Sequence, residues 1–143
     1  MSKNKAVGFT GSRKGMTRLQ HGALHAYLLK CKKKGLTEFH YGDCIGSDEE
    51  AAWTASLMGF KLHSHPCTLE NQRAHTELKL DVAKIYPQLD PLKRNHVIVD
   101  SVIEMYATPS EAQEVLRSGT WATIRYAQKK DIPVTIIEPL VTR

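Results

Sequence analysis

Residues 38–65 read EFHYGDCIGSDEEAAWTASLMGFKLHSH. Glu38 to Tyr41 is a short run with two aromatic residues, and it stops at Gly42-Asp43. Ser47 and Glu50 then stand in the S-x-x-E spacing of a capping box, in which a hydroxyl and a carboxylate each cap a free amide of a first helical turn. A helix is expected from there to about Met58, with Gly59 as its C-terminal stop. A second strand, Phe60 to His65, ends at Pro66. Strand, glycine loop, helix and strand make one α/β unit, whose helix carries the chain back so that the two strands lie parallel.

The same alternation continues in both directions. Upstream, Lys5 to Thr10 is a strand, with Gly8 inside it where a helix packs closely. Thr17 and Gln20 form a T-x-x-Q capping box for a helix to about Lys34, stopped by Gly35. Downstream, Asp90-Pro91 sets an N-cap and a proline at the first helical position, and that helix should reach about Ser101. Val102 to Ala107 is a strand, a helix runs from Ser118-Gly119-Thr120 to about Lys130, and Val134 to Ile137 is the last strand. Cys67 to Leu89 is the least regular stretch, and its apolar spacing admits a helix over Asn71 to Tyr86. The expectation is a single domain over residues 1–143, an α/β fold with a doubly wound, mostly parallel sheet of five or more strands and helices on both faces.

Composition narrows the partners. The chain has 143 residues, 41% of them hydrophobic and 24% charged, as in ordinary globular domains. No apolar run approaches the roughly 18 residues of a membrane span, so no membrane partner is expected. Met1 to Lys5 leads straight into a strand, and no leader peptide is expected. Cys31, Cys44 and Cys67 are odd in number and form no CxxC, which fits a reducing cytoplasm. The net charge of +5 suits an anionic partner. Much of it lies in Lys30 to Lys34, read as a solvated helix end that complements the helix dipole, with a direct nucleic-acid contact as the alternative.

In open parallel sheets, ligands sit beyond the carboxyl ends of the strands. Those ends read Gly11-Ser12-Arg13, Gly42-Asp43-Cys44-Ile45-Gly46-Ser47-Asp48, His65-Pro66-Cys67, and Thr108 onward to Ser118-Gly119-Thr120. Glycine lets backbone approach a ligand closely, and free amides at a helix start hold anions. The helix after Gly46 carries Asp48, Glu49 and Glu50 and would repel a phosphate, whereas the one at Ser118-Gly119-Thr120 has no acid in its first turn. An anionic group is therefore expected at Ser118-Gly119-Thr120, with Arg13, Arg94 and Arg117 as cationic partners. Asp43 or Asp48 would accept hydrogen bonds from ribose hydroxyls or a base. Asn95 follows Arg94 in the first turn of its helix. Asp100, on the same helix, reads equally as an ion-pair partner or a functional acid. Trp53 and Trp121 sit in helical segments and both read as core by default; of the two, Trp121, next to the Gly119-Thr120 turn, is better placed to stack on a base. His63-x-His65 points two side chains the same way and Cys67 follows, but no fourth ligand stands at a recognised spacing, so strand-end packing or a ligand contact is expected and no metal. There is no Ser-His-Asp pattern, no HExxH and no GxxxxGK[ST].

These residues resemble a known group. Phe9-Thr10-Gly11-Ser12-Arg13 is similar to the opening strand and loop of the SLOG superfamily, and Gly42-Asp43-x-x-Gly46-Ser47-Asp48 followed by Ala51 is similar to its second glycine loop. Arg94-Asn95-x-x-Ile98 and Arg117-Ser118-Gly119-Thr120-Trp121-Ala122-Thr123 resemble the DprA (Smf) branch, with motifs of the form RNRII and SGSxxTA, and also the LOG phosphoribohydrolase branch, with RK and PGGxGTxxE. The resemblance covers nearly the whole chain except about Leu69 to Leu89. It implies a Rossmann-like fold and a nucleotide-type ligand, and no separate cofactor is expected. Small stand-alone bacterial or phage proteins of this superfamily are the nearest likeness, and self-association is common among such relatives. The LOG pattern places its catalytic Glu where this chain has Thr123, and Asn95 replaces the LOG lysine. The DprA comparison departs as well: flanking domains are not expected, and only modest positive charge lies outside Lys30 to Lys34.

Three functions follow as expectations. The first is binding of a nucleotide or nucleotide-derived ligand, such as an ADP-ribose derivative, by a sensor or sequestering protein. Its site would use Gly11, Ser12, Arg13, Gly42, Asp43, Gly46, Ser47, Asp48, Pro66, Arg94, Asn95, Arg117, Ser118, Gly119, Thr120 and Trp121. The second is N-glycosidic hydrolysis of a nucleotide, with Asp43, Asp48 and Arg94 as catalytic candidates, because a carboxylate stabilises oxocarbenium character. The third is DprA-like binding of single-stranded DNA.

Overall fold

The computed structural model describes residues 3–139. Six parallel strands form one sheet: β1 (Ala6–Gly11), β2 (Glu38–Tyr41), β3 (Lys61–Ser64), β4 (Val82–Ile85), β5 (Glu104–Thr108) and β6 (Val134–Ile136), in the order β4-β3-β2-β1-β5-β6. Four α-helices connect them: α1 (Arg18–Lys33), α2 (Ser47–Leu57), α3 (Pro91–Asp100) and α4 (Gly119–Lys129). The chain winds outward from β1 to β4, returns to β5 beside β1, and winds outward the other way. The order therefore reverses between β1 and β5, which is where such sheets open a crevice.

Strand periodicity sorts the core into two layers. Val7 and Phe9 of β1, Phe39 and Tyr41 of β2, and Leu62 of β3 pack with Leu24, Leu28, Ala51, Ala52 and Ala55, so α1 and α2 cover one face. Ala6 and Met105 pack with Ile98, Val99, Val102 and Ala127, so α3 and α4 cover the other. Gly8 is the expected close approach: a Cβ there would meet Met105 Sδ at 2.4 Å and Ile98 Cγ2 at 3.2 Å.

The helix starts divide instructively. Thr17 forms the full capping box with Gln20, and Asp90 accepts from Lys93 N at 2.9 Å ahead of Pro91. The expected Ser47–Glu50 box does not form. Gly46 is the N-cap with φ 98°, Ser47 is already helical and buried, and Glu50 instead accepts from Met16 N at 2.8 Å across to the β1 loop. The acid is spent on tertiary structure.

Asn71 to Tyr86 is not a helix. It holds two single 3₁₀ turns, Glu70–Gln72 and Thr76–Leu78, and then β4. His75 between the turns has φ 55°, a left-handed conformation that interrupts any continuous helix. A strand wins here because the outer edge of β3 carries backbone groups that need partners, and Tyr86 N extends the pairing to Ser64 O at 2.9 Å. Trp53 is a second correction. It is 42% exposed on α2 rather than core. Lys30, Lys32 and Lys33 do lie in the last turn of α1, where Lys32 Nζ donates to Met58 O; Lys34, the C-cap residue, pairs with Glu104 at 2.8 Å. Cys31, Cys44 and Cys67 are free and buried. Among the described residues no helix is long and apolar enough to cross a membrane.

Candidate functional site

Three strand-end loops are stitched together by their backbones. Ser12 N donates to Thr108 O at 3.3 Å and Ser47 N to Ser12 O at 3.0 Å. Only glycine fits at two of the crossings. A Cβ on Gly11 would lie 2.5 Å from Thr108 Oγ1 and 2.6 Å from Ser47 Cβ, and one on Gly46 would lie 2.2 Å from Arg13 O. Because Gly46 also has φ 98° and ψ −128°, Gly46→Ala combines a backbone clash with a conformation open essentially to glycine alone. We expect it to lower the unfolding free energy by about 3 kcal/mol or more, measured by urea denaturation; an unchanged midpoint would refute the packing described.

Beyond these loops lies a cavity of about 590 Å³ at the β1/β5 reversal. The structure brings Gly11, Ser12, Arg13, Gly42, Asp48, Arg94, Asn95, Arg117, Ser118, Gly119 and Thr120 to its wall. At the start of α4, Ser118 Oγ caps Trp121 N at 3.2 Å and the first turn carries no acid, so the first amides of the helix remain free of side-chain carboxylates.

Arg94 is 5% exposed. Its Nη1 donates to the carbonyls of Gly42 and His65, Nε donates to Asn95 Oδ1 at 2.6 Å, and Nη2 faces Cys44 Sγ at 3.5 Å. The guanidinium thereby clamps the ends of β2 and β3 together. Asp48 stands beside it, and burial pushes its carboxyl up to about 6 against the opposing pull of Arg94 and the Cys44 amide.

Other expected residues are placed elsewhere. Asp43 is fully buried with φ 56°. Its Oδ2 accepts from Arg73 Nε and Nη2 at 3.2 and 3.0 Å, and its Oδ1 accepts from Thr76 N and Oγ1 at 2.9 and 2.8 Å. Both oxygens are spent fixing the 70–78 segment, and Asp43 does not line the cavity. Gly46, Ser47 and Pro66 do not line it either. Trp121 packs with Ala107 and Ile124 and donates to Glu111 O at 3.4 Å, so its ring belongs to the core instead of the cavity. Thr123 donates to Gly119 O inside α4. Asp100 accepts from Tyr126 Oη on the outer side of α3. His63 pairs with Glu38 and Tyr86, and His65 with His40.

The cavity also recruits residues the motifs do not mark, among them Lys14, Cys44, Gln72, Ser110 and Glu111. Lys14 directly follows the Gly11-Ser12-Arg13 loop and was within reach of sequence reasoning. Glu111 lies in an irregular loop with no local signal.

The wall carries four cationic side chains, Arg13, Lys14, Arg94 and Arg117, against two carboxyl groups, Asp48 and Glu111. None of the four forms an ion pair among the described residues, whereas Lys34, Arg73, Lys79 and Arg125 all do. Ionisation of Asp48 above about pH 6 subtracts from that positive field. Affinity for an anion without a titration of its own near pH 6, such as a phosphodiester, should therefore fall as pH rises through about 6, and Asp48→Asn should flatten the profile. Calorimetric titrations at pH 5 and pH 7 decide it, and identical slopes in both proteins would refute it.

No protein-family model matches the sequence, and no curated protein matches it significantly. Solved structures do match in fold. DNA processing protein A from Helicobacter pylori, in a structure describing its single-stranded DNA binding mode, superposes with a TM-score of 0.67 at 20% identity, over 99% of this chain and 67% of that one. DprA from Streptococcus pneumoniae gives 0.68 at 19%, over 94% and 50%. A molybdenum cofactor binding protein from Rippkaea orientalis gives 0.70 at 16%, over 96% and 78%. The chain thus spans about two thirds of one DprA chain and half of the other. It is a Rossmann-like α/β domain with its cavity at the sheet reversal. It shares that fold with its structural neighbours, the two DprA proteins and the molybdenum cofactor binding protein.

Proposed function

We propose that this protein binds a nucleotide or nucleotide-derived anion in the cavity between β1 and β5, as a sensor or sequestering protein. The observation that carries this reading is a cavity beside the acid-free start of α4 whose four cations, Arg13, Lys14, Arg94 and Arg117, form no ion pair among the described residues. Phosphoryl oxygens satisfy both free helix amides and guanidinium groups. The supporting likeness is one of fold: a neighbour is described as binding single-stranded DNA, a phosphodiester chain, and another as binding a molybdenum cofactor.

Two other readings have their own support. The buried Asp48 carboxyl, held near about 6, is suited to proton transfer at neutral pH and favours N-glycosidic hydrolysis of the bound nucleotide. The likeness to DprA favours single-stranded DNA, and binding of that kind weakens steeply with salt.

Native mass spectrometry of the purified protein, followed by denaturation and identification of what is released, tests the proposal. An intact nucleotide supports it. Recovery of only free base and sugar phosphate would favour the hydrolase reading, and tight capture of a labelled oligonucleotide with no small ligand would favour the DNA reading. The same spectra report assembly, and self-association is part of the proposal.

A further inference from the structure

Glu111 is a cavity carboxylate with one oxygen left unmatched among the described residues. Ser110 Oγ donates to its Oε2 at 2.7 Å. Its Oε1 is buried and has no hydrogen-bond partner, and Glu111 forms no ion pair among the described residues. A buried acceptor left unmatched is costly, more so when it is charged. An ionised carboxylate only accepts, so a phosphate cannot be its partner.

The position of Glu111 selects among the donors a nucleotide offers. Its backbone is pinned to the first turn of α4, because Trp121 Nε1 donates to Glu111 O at 3.4 Å. Trp121 directly follows Gly119-Thr120, where the anion is placed. The unit covalently attached to a nucleotide's phosphate is its sugar, and the base lies further out. A carboxylate beside the phosphate site thus meets sugar hydroxyls first, and two adjacent hydroxyls fit its two oxygens.

Resting on the nucleotide reading above, we propose that Glu111 accepts hydrogen bonds from the vicinal hydroxyls of a ribose and makes this cavity selective for ribonucleotides over 2′-deoxyribonucleotides. A site built around a hydroxyl discriminates strongly against the analogue that lacks it, because its own polar group is then left unmatched.

The test is calorimetric titration with the four ribonucleoside 5′-monophosphates and their 2′-deoxy counterparts, on the wild type and on Glu111→Gln and Glu111→Ala. For whichever base binds, we expect the wild type to prefer the ribo form by tenfold or more. Glu111→Ala should lose that preference and Glu111→Gln, whose amide oxygen still accepts, should weaken it, while their affinity for the deoxy form stays the same or rises because a negative charge has gone. Equal wild-type affinities for ribo and deoxy forms would overturn the role of Glu111 while leaving the nucleotide site standing. A preference that survives in both variants would overturn it in the same way. Failure of every nucleotide to bind would remove the nucleotide reading and this inference together.

Discussion

Replacing Arg94 with methionine should lower the unfolding free energy by about 3 kcal/mol and remove most of the affinity for a phosphate-bearing ligand. Methionine fills similar space but donates nothing. Two buried carbonyls, Gly42 O and His65 O, then lose their donor, and a buried acceptor left without a partner costs about 1–3 kcal/mol. The ends of β2 and β3 are held to each other through that guanidinium, so the cavity floor loosens as its positive charge disappears. Arg94→Lys separates the two effects. An ammonium can still donate to both carbonyls and keeps the charge, but it cannot also reach Asn95 and Cys44 in the guanidinium's planar geometry. Lysine should recover most of the stability and only part of the affinity. Urea denaturation and ligand titration on both variants read this directly. A methionine variant that bound nucleotide as tightly as wild type would show that Arg94 is purely architectural.

Arg94 also shows what the sequence can carry. Its place in the first turn of a proline-started helix was legible, because Asp90-Pro91 fixes the helical phase. Its burial was not: nothing near Arg94 in the chain announces that residues 42 and 65 present their carbonyls to it. The same divide runs through the fold. The three sheet–helix units around residues 5–65 and 90–137 follow from local signals, namely capping residues, stop glycines and strand-length apolar runs. β4 escaped because Val82 to Ile85 is a strand through its partner β3 rather than by its own pattern, and because His75 breaks the preceding segment with a backbone conformation that side-chain type does not encode.

The site divides along similar lines. Gly11, Gly42, Arg13 and the Ser118-Gly119-Thr120 turn reach the cavity as loop chemistry predicts. Asp43 has the same sequence credentials as Asp48, being an acid in a glycine loop at a strand end. Its left-handed backbone turns it toward Arg73 and Thr76, residues some thirty positions away in the segment that was hardest to read. A long-range partner decided which of two similar acids lines the cavity. Glu111 is the converse case, an unmarked loop acid that α4 draws to the cavity through Trp121.

Acid should unfold this protein, with two histidines as the main cause. His40 and His65 lie side by side on β2 and beyond β3, with Nδ1 of one 2.8 Å from Nε2 of the other, and both are nearly inaccessible. Burial, aided by the neighbouring His63 and by Lys84, with Arg94 also facing His65, holds His40 at about 2 and His65 at about 3. Glu38 and Tyr86 face the same cluster but are engaged by His63. An unfolded histidine protonates near 6.5. Between those limits the unfolded chain takes up protons that the folded one refuses, so this stability is whole above about pH 6.5 and drains away as pH falls. At pH 4 each histidine costs about 3 kcal/mol. Asp48 works in the opposite sense, because its folded carboxyl protonates before its unfolded one, and it returns about 2 kcal/mol over the same range. The net loss of about 4 kcal/mol is a large part of a typical domain's 5–15 kcal/mol. Circular dichroism of urea unfolding at pH 7, 5 and 4 should show that decline, and a His40→Phe, His65→Phe double variant should flatten it even though its stability at pH 7 is lower. A double variant with the wild-type slope would move the cause of acid sensitivity away from this pair. His40 Nε2 has no hydrogen-bond partner among the described residues, so a proton on that nitrogen stays unmatched in the folded state, and protonation and unfolding should proceed together.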